Sequence, residues 1–94
     1  MLDISELKRT AISFQGVSAG VYFLFDADEL VYIGESWNCV LRVGEHTKKK
    51  GRKVFGSWNF IPVEEESDRK AFEDLLVQRY QPKYNKAKLR GQSS

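Results

Sequence analysis

Apolar residues recur along this chain at two spacings, and the changes between them mark the elements. Val21-Tyr22-Phe23-Leu24-Phe25 and Leu30-Val31-Tyr32-Ile33 are runs of β-branched and aromatic residues, and both predict strands. Asp26-Ala27-Asp28-Glu29 between them predicts a tight turn, and Gly34 ends the second strand. The two strands form a hairpin. Both are almost wholly apolar rather than alternating, so the sheet is expected to be covered on both faces. Residues 54–63, with Trp58, Phe60 and Ile61, predict a third strand closed by Pro62. Helical spacing appears three times. Ile4, Leu7 and Ala11 share one side of residues 3–12, with Asp3 or Ser5 as the cap. Trp37, Val40 and Leu41 form an apolar stripe in residues 37–47, with Ser36 as the N-cap. A long helix capped by Ser67 or Asp68 runs to about Tyr80 and is stopped by Pro82. Residues 15–20 read as a turn-rich lead-in and residues 91–94 as a frayed end. The order helix, strand, strand, helix, strand, helix predicts an α+β fold: a small, mainly antiparallel sheet with helices on its faces.

Size and charge narrow this further. Ninety-four residues make one domain and leave no room for a second, so residues 1–94 are expected to form a single unit with a basic C-terminal tail. One cysteine, Cys39, excludes an internal disulfide and a cysteine-based zinc site, and fits a reducing interior. No apolar run reaches the length of a membrane span. The start, Met1-Leu2-Asp3-Ile4-Ser5-Glu6, lacks the order of a secretion signal, so a cytoplasmic location is expected. The single His excludes a many-histidine metal cage, and no glycine-rich stretch is placed to hold a nucleotide. The formal charge of +2 does not by itself ask for nucleic acid. Its distribution differs from its sum. Nine of the fifteen cations fall in two short segments, Lys48, Lys49, Lys50, Arg52 and Lys53, then Lys83, Lys86, Lys88 and Arg90. Such segments suit a phosphate-tracking surface and equally suit solubilising loops. Trp58 and Phe60 can stack on bases, but their alternation along a strand favours the core.

Three sets of side chains invite chemistry. Glu73 lies in the most apolar part of the last helix and shares a face with Leu76, Val77 and Tyr80. It is either a solvated boundary residue or a carboxylate aimed into a cleft, where it needs a metal, a cation or donors. Arg42 and His46 stand four apart on one helix face. They are either surface groups, with His46 favoured by the helix C-terminus, or a phosphate fork beside a proton carrier. Tyr22 and Tyr32 are ordinary strand residues unless both point to one side. That requires an odd number of residues in the hairpin loop, because a two-residue Ala27-Asp28 loop would place them on opposite faces.

Taken in order, these features resemble the GIY-YIG nucleases. Gly20-Val21-Tyr22, with Val for Ile, and Tyr32-Ile33-Gly34 match the two motifs that name the family. Arg42 on the following helix, His46 one turn later, Glu73 on the last helix and Asn85 beyond it continue the match, over about residues 20–85. The resemblance implies a three-stranded antiparallel sheet flanked by helices and hydrolysis of a nucleic-acid phosphodiester with one divalent metal, Mg²⁺ or Mn²⁺. It implies that Glu73 holds the metal, that Tyr22 is the base or positions the attacking water, and that Tyr32 orients water or phosphate. Arg42 is implied to stabilise the transition state, His46 to assist proton transfer, and Gly20, Gly34 and Asn85 to support the site. Lys48, Lys49, Lys50, Arg52, Lys53, Lys83 and Lys86 are expected to track the DNA backbone, with RNA left open. Glu35 departs from members with Lys or a small residue there, and an acid repels phosphate unless it points away. A phenol titrating near pH ~10 is a poor base at neutral pH, so Tyr22 needs help. Three readings follow: an active nuclease, a non-catalytic nucleic-acid-binding module on the same fold, or a structural domain. Convergence of Tyr22, Tyr32, Arg42, His46 and Glu73 on one cleft favours the first. With no separate recognition domain expected, specificity is expected to be low or to come from a protein partner or a dimer.

Overall fold

The computed structural model describes residues 2–12, 19–48 and 53–86. The loop cations Lys49, Lys50 and Arg52, the tail cations Lys88 and Arg90, most of the lead-in and residues 91–94 lie outside the described residues. The elements are α1 (Ile4–Arg9), β1 (Gly20–Asp26), β2 (Glu29–Ser36), α2 (Cys39–Glu45), β3 (Ser57–Pro62) and α3 (Glu66–Tyr80). The strands form one antiparallel sheet in the order β2-β1-β3, the α+β architecture expected from the sequence. β1 is central, paired along both edges, and its two apolar faces are covered from both sides. Tyr22, Leu24, Val31 and Tyr32 pack with Cys39 and Val43 of α2. Val21 and Ile33 pack with Val77 of α3, joined by Phe23, Leu30, Phe72 and Leu76.

The hairpin loop corrects the parity argument. Asp26 pairs with Glu29, so the loop is the two-residue Ala27-Asp28, with Ala27 in the left-handed region at φ 54°. Yet Leu24 opposes Tyr32 while Phe25 opposes Leu30. The extra residue, Val31, is a β-bulge that shifts the register by one. Directly opposed residues share a face, so Leu24, and with it Tyr22, lies on the same side as Tyr32. The strand also runs past Gly34 to Ser36, because β1 supplies partners as far as Gly20. Gly34 opposes Tyr22, and a Cβ there would collide with the Tyr22 ring and hydroxyl. Gly20 opposes Pro62, and a Cβ there would meet the Ile61 carbonyl.

Helix boundaries shift for local reasons. Asp3 caps α1, its carboxylate accepting from the Glu6 N–H at 3.2 Å, but α1 buries no residue and its expected apolar side stays exposed. The N-cap of α2 is Asn38 rather than Ser36, accepting from Leu41 N–H at 3.1 Å. Ser36 closes the preceding turn by accepting from Asn38 N–H at 3.0 Å. The later start rotates the buried face to Cys39 and Val43, leaving the expected stripe of Trp37, Val40 and Leu41 exposed. Helix α3 starts before Ser67 and Asp68, with Glu65 at its N-cap making no side-chain bond. Acidic Glu66 and Asp68 fall in its first turn, where the helix dipole favours them. Gln81, at φ 44°, and Pro82 end it.

One side chain fastens the chain beyond α3 to the sheet edge. Asn85 is buried. It accepts from Ile33 N–H at 2.8 Å and donates to the Ile33 carbonyl at 2.9 Å, acting as a one-residue strand partner for β2. Removing it leaves a buried donor and acceptor unpaired, at about 1–3 kcal/mol each. Asn85→Ala is therefore expected to lower unfolding free energy by about 2–6 kcal/mol in denaturant titrations, with Asn85→Asp no better because it faces the carbonyl without a donor.

Candidate active site

The tyrosine face of the sheet gathers side chains from four elements. The bulge places Tyr22 of β1 and Tyr32 of β2 with ring centroids 6.1 Å apart. His46, the C-cap of α2, stands over both. Its Nε2 lies 2.8 Å from the Tyr22 hydroxyl, and its ring meets Tyr32 edge-on at 5.0 Å. Cys39 and Val43, on the buried side of α2, seat the helix that carries His46 there. Tyr22 and His46 are both almost wholly buried.

Burial decides the charges. It pushes the Tyr22 hydroxyl well above the ordinary phenol range, reinforced by Tyr32 and opposed by Arg42. It raises Tyr32 as well, with the Glu73 carboxylate adding to the shift and Arg42 opposing it. His46 moves the other way. Burial, then Lys53 and Arg42, push it down to about 4, so the imidazole is neutral at pH 7. A neutral imidazole accepts from the Tyr22 hydroxyl at Nε2 when its proton is on Nδ1 and donates to it when the proton is on Nε2. Arg42 sits at the rim, half-exposed, its guanidinium donating to Glu45 at 2.8 Å.

Glu73 reaches the same region from the opposite side. Helix α3 packs on the other sheet face through Val77, Phe72 and Leu76, yet the half-buried Glu73 acts on Tyr32, which lies on the edge strand. Among the described residues no group of three or more His, Cys, Asp or Glu side chains is placed to hold a metal. That excludes a closed zinc-type cage there. A hard cation that keeps most of its water needs only one protein carboxylate, and the half-buried Glu73 is a carboxylate that could serve as one.

The basic residues divide. The Lys53 amine lies 4.7 Å from the Tyr32 ring centroid, and its backbone N–H donates to the His46 carbonyl at 3.1 Å, so this loop cation belongs to the site. Lys48 is exposed two residues past His46. Lys83 lies 4.0 Å from Glu29 and 5.3 Å from the Tyr84 ring centroid. Lys86 is exposed beside Asn85.

Sequence reasoning missed Arg69. It is buried, pairs with Glu35 at 3.0 Å, and donates to the carbonyls of Glu64 at 2.6 Å and Val63 at 3.4 Å. Its spacing to Phe72, Leu76 and Val77 placed it on the apolar face of α3, and a cation there requires an acid. Glu35 is that acid, engaged on the α3 side of the sheet. Cys39 is a buried thiol pushed up to about 11, chiefly by burial, and donates to the Gly20 carbonyl at 3.4 Å.

Residues 18–85 match the model of the GIY-YIG catalytic domain. The chain is 35% identical over 75 residues to UvrABC system protein C of Porphyromonas gingivalis, covering 70% of this chain and 12% of that protein. It is 28% identical over 75 residues to the protein of the same name from Hydrogenovibrio crunogenus. The chain thus spans 12% of the length of these relatives. Among solved structures, it is similar to the GIY-YIG N-terminal endonuclease domain of UvrC from Thermotoga maritima bound to its catalytic divalent cation, magnesium. That similarity has a TM-score of 0.61 at 23% identity and covers 81% of this chain and 92% of that one. A point mutant of the same domain, also bound to its divalent cation, gives a TM-score of 0.62 at 22% identity over 89% and 97% of the two chains.

The depressed His46 has a consequence for stability. The unfolded imidazole takes up its proton near pH ~6.5 and the folded one only near about 4. Between those values the unfolded state binds more protons, so this contribution is complete above pH ~6.5 and is lost as pH falls toward 4. Thermal melts are expected to show a larger fall in Tm from pH 7 to pH 4.5 for the wild type than for His46→Gln.

Proposed function

The chain belongs to the GIY-YIG catalytic-domain family, and from that premise we propose that it is a DNA endonuclease that uses one divalent metal ion, magnesium or manganese. The observation that carries this reading is the convergence of Tyr22, Tyr32, Arg42, His46 and Glu73. Each acts on another of the five through a contact or an electrostatic shift.

Tyr22 and His46 together meet the difficulty of a phenol as a base. With its proton on Nδ1, neutral His46 accepts from the Tyr22 hydroxyl across this contact, leaving the phenol oxygen lone pairs to receive a proton from an attacking water. As the water oxygen bonds to phosphorus, its proton passes to the Tyr22 oxygen and the phenol proton passes to His46. Tyr22 stays neutral throughout, as its burial demands, and His46 becomes the imidazolium. Tyr32, beside both rings, positions the water or a phosphate oxygen. Arg42 exchanges its exposed Glu45 partner for the phosphate, presenting a fork of donors as negative charge develops. Glu73 would hold the metal ion, which when bound would supply Lewis-acid polarisation of the phosphate and stabilisation of the leaving oxygen. Lys48 and Lys53 hold the backbone beside the site, with Lys83 and Lys86, and the sequence neighbours Lys49, Lys50 and Arg52, extending the track. A reduced, buried Cys39 suits a cytoplasmic setting.

Supercoiled plasmid incubated with magnesium or manganese is expected to be nicked by the wild type and not in chelator. Glu73→Ala is expected to reduce nicking roughly hundredfold or more, and His46→Ala or Tyr22→Phe by about 10²–10⁴-fold. Salt-sensitive DNA binding with no metal-dependent nicking would instead identify a non-catalytic binding module.

A further inference from the structure

The sheet face that carries the tyrosines continues onto β3. In the β1–β3 register Phe60 opposes Tyr22 and Trp58 opposes Leu24, so both aromatic rings lie on that face. Phe60 is half-buried and packs against the tyrosine cluster. Trp58, two residues along and so roughly 7 Å further out, stays 37% exposed. Their rings lie nearly parallel, at 18°, with centroids 5.6 Å apart. Sequence reasoning favoured the core for this pair, but its outer ring faces solvent. The segment leading into β3 places Lys53 over Tyr32, and residues 48–53 hold five cations. An exposed aromatic step on the sheet face that Lys53 also covers has the chemistry that grips single-stranded nucleic acid, by base stacking and phosphate pairing together.

We propose that the Trp58–Phe60 stack is a platform for an unpaired nucleobase next to the scissile phosphate. The enzyme's preferred substrate is then DNA with unstacked bases at the cut site, such as a bubble, flap or single strand, rather than intact duplex. Phe60 joins the platform to Tyr22 and fixes the outer ring's orientation. Trp58 supplies the face on which the base lies, and Lys48 and Lys53 hold the flanking phosphates. The inference rests on the reading of DNA as substrate, and adds which form of DNA the site accepts.

Trp37 and Trp58 are the only two tryptophans, so a Trp37→Phe chain reports on Trp58 alone. In chelator, where no cleavage occurs, an oligothymidylate is expected to quench Trp58 emission, and a blunt duplex of equal length is expected to leave it unchanged. Relative to that chain, Trp58→Ala is expected to weaken oligothymidylate binding roughly tenfold or more. Its preference for the single strand over the duplex should collapse by the same factor, while Trp58→Phe keeps most of both. A thermal melt confirms that each variant is folded. Equal losses on both probes, or quenching by duplex and single strand alike, would overturn the proposal. So would a Trp58→Ala effect confined to self-association in sedimentation, which would assign the stack to contact with a second copy. The two readings fail separately. Trp58-dependent binding of oligothymidylate without metal-dependent nicking removes the nuclease and keeps the platform. Glu73-dependent nicking with no Trp58 effect removes only the platform.

Discussion

The Tyr22 ring lies across Gly34, and the site depends on that contact. Any side chain at position 34 would occupy the space of the ring and its hydroxyl. With glycine there, the ring settles against β2 and its hydroxyl meets His46. The bulge at Val31 is the second half of the same constraint. A regular two-residue hairpin would turn Tyr32 to the α3 side, and the pair would be separated by the sheet. One inserted residue reverses that, and the cluster of Tyr22, Tyr32 and His46 follows. The Asn85 clamp then holds Ile33, between Tyr32 and Gly34, from the outer edge.

Burial of this cluster sets its chemistry. A buried phenol resists ionisation and a buried imidazole resists protonation, so at neutral pH Tyr22 and His46 meet as two neutral hydrogen-bond partners. Charge is kept to the rim. Arg42 is half-exposed and joined to Glu45, Glu73 is half-buried on α3, and Lys53 covers Tyr32. The rim thus carries the charged groups, while the Tyr22–His46 pair behind it is shielded. Glu35, the acid that threatened this arrangement, is engaged by buried Arg69 on the other face, so its charge is compensated away from the rim.

Much of this was legible in the sequence, and the failures have identifiable causes. The strands declared themselves by β-branched and aromatic runs, and their apolarity on both faces predicted helices on both sides. The shared face of the tyrosines was not legible, because the parity rule assumes a regular ladder and nothing in Leu30-Val31-Tyr32 marks a bulge. The face of α2 was misjudged because Asn38 outcompetes Ser36 as the cap, and a shift of two residues rotates a helix by over half a turn. The alternation of Trp58 with Phe60 points to the core, but β3 is an outer strand and Trp58 stays partly exposed there. Glu35 stands out in the sequence but Arg69 does not, and their pairing across 34 residues is a property of the fold.

The central claim, that a neutral His46 receives the Tyr22 proton, has a direct measurement. His46 is the only histidine in the chain, so nitrogen NMR of a histidine-labelled sample reads its protonation state and tautomer without assignment. A neutral ring at pH 7 with its proton on Nδ1, a titration near pH 4 and a displaced Nε2 resonance in Tyr22→Phe are expected. An imidazole that titrates at its ordinary value near ~6.5, with an Nε2 signal indifferent to the Tyr22 hydroxyl, would contradict it.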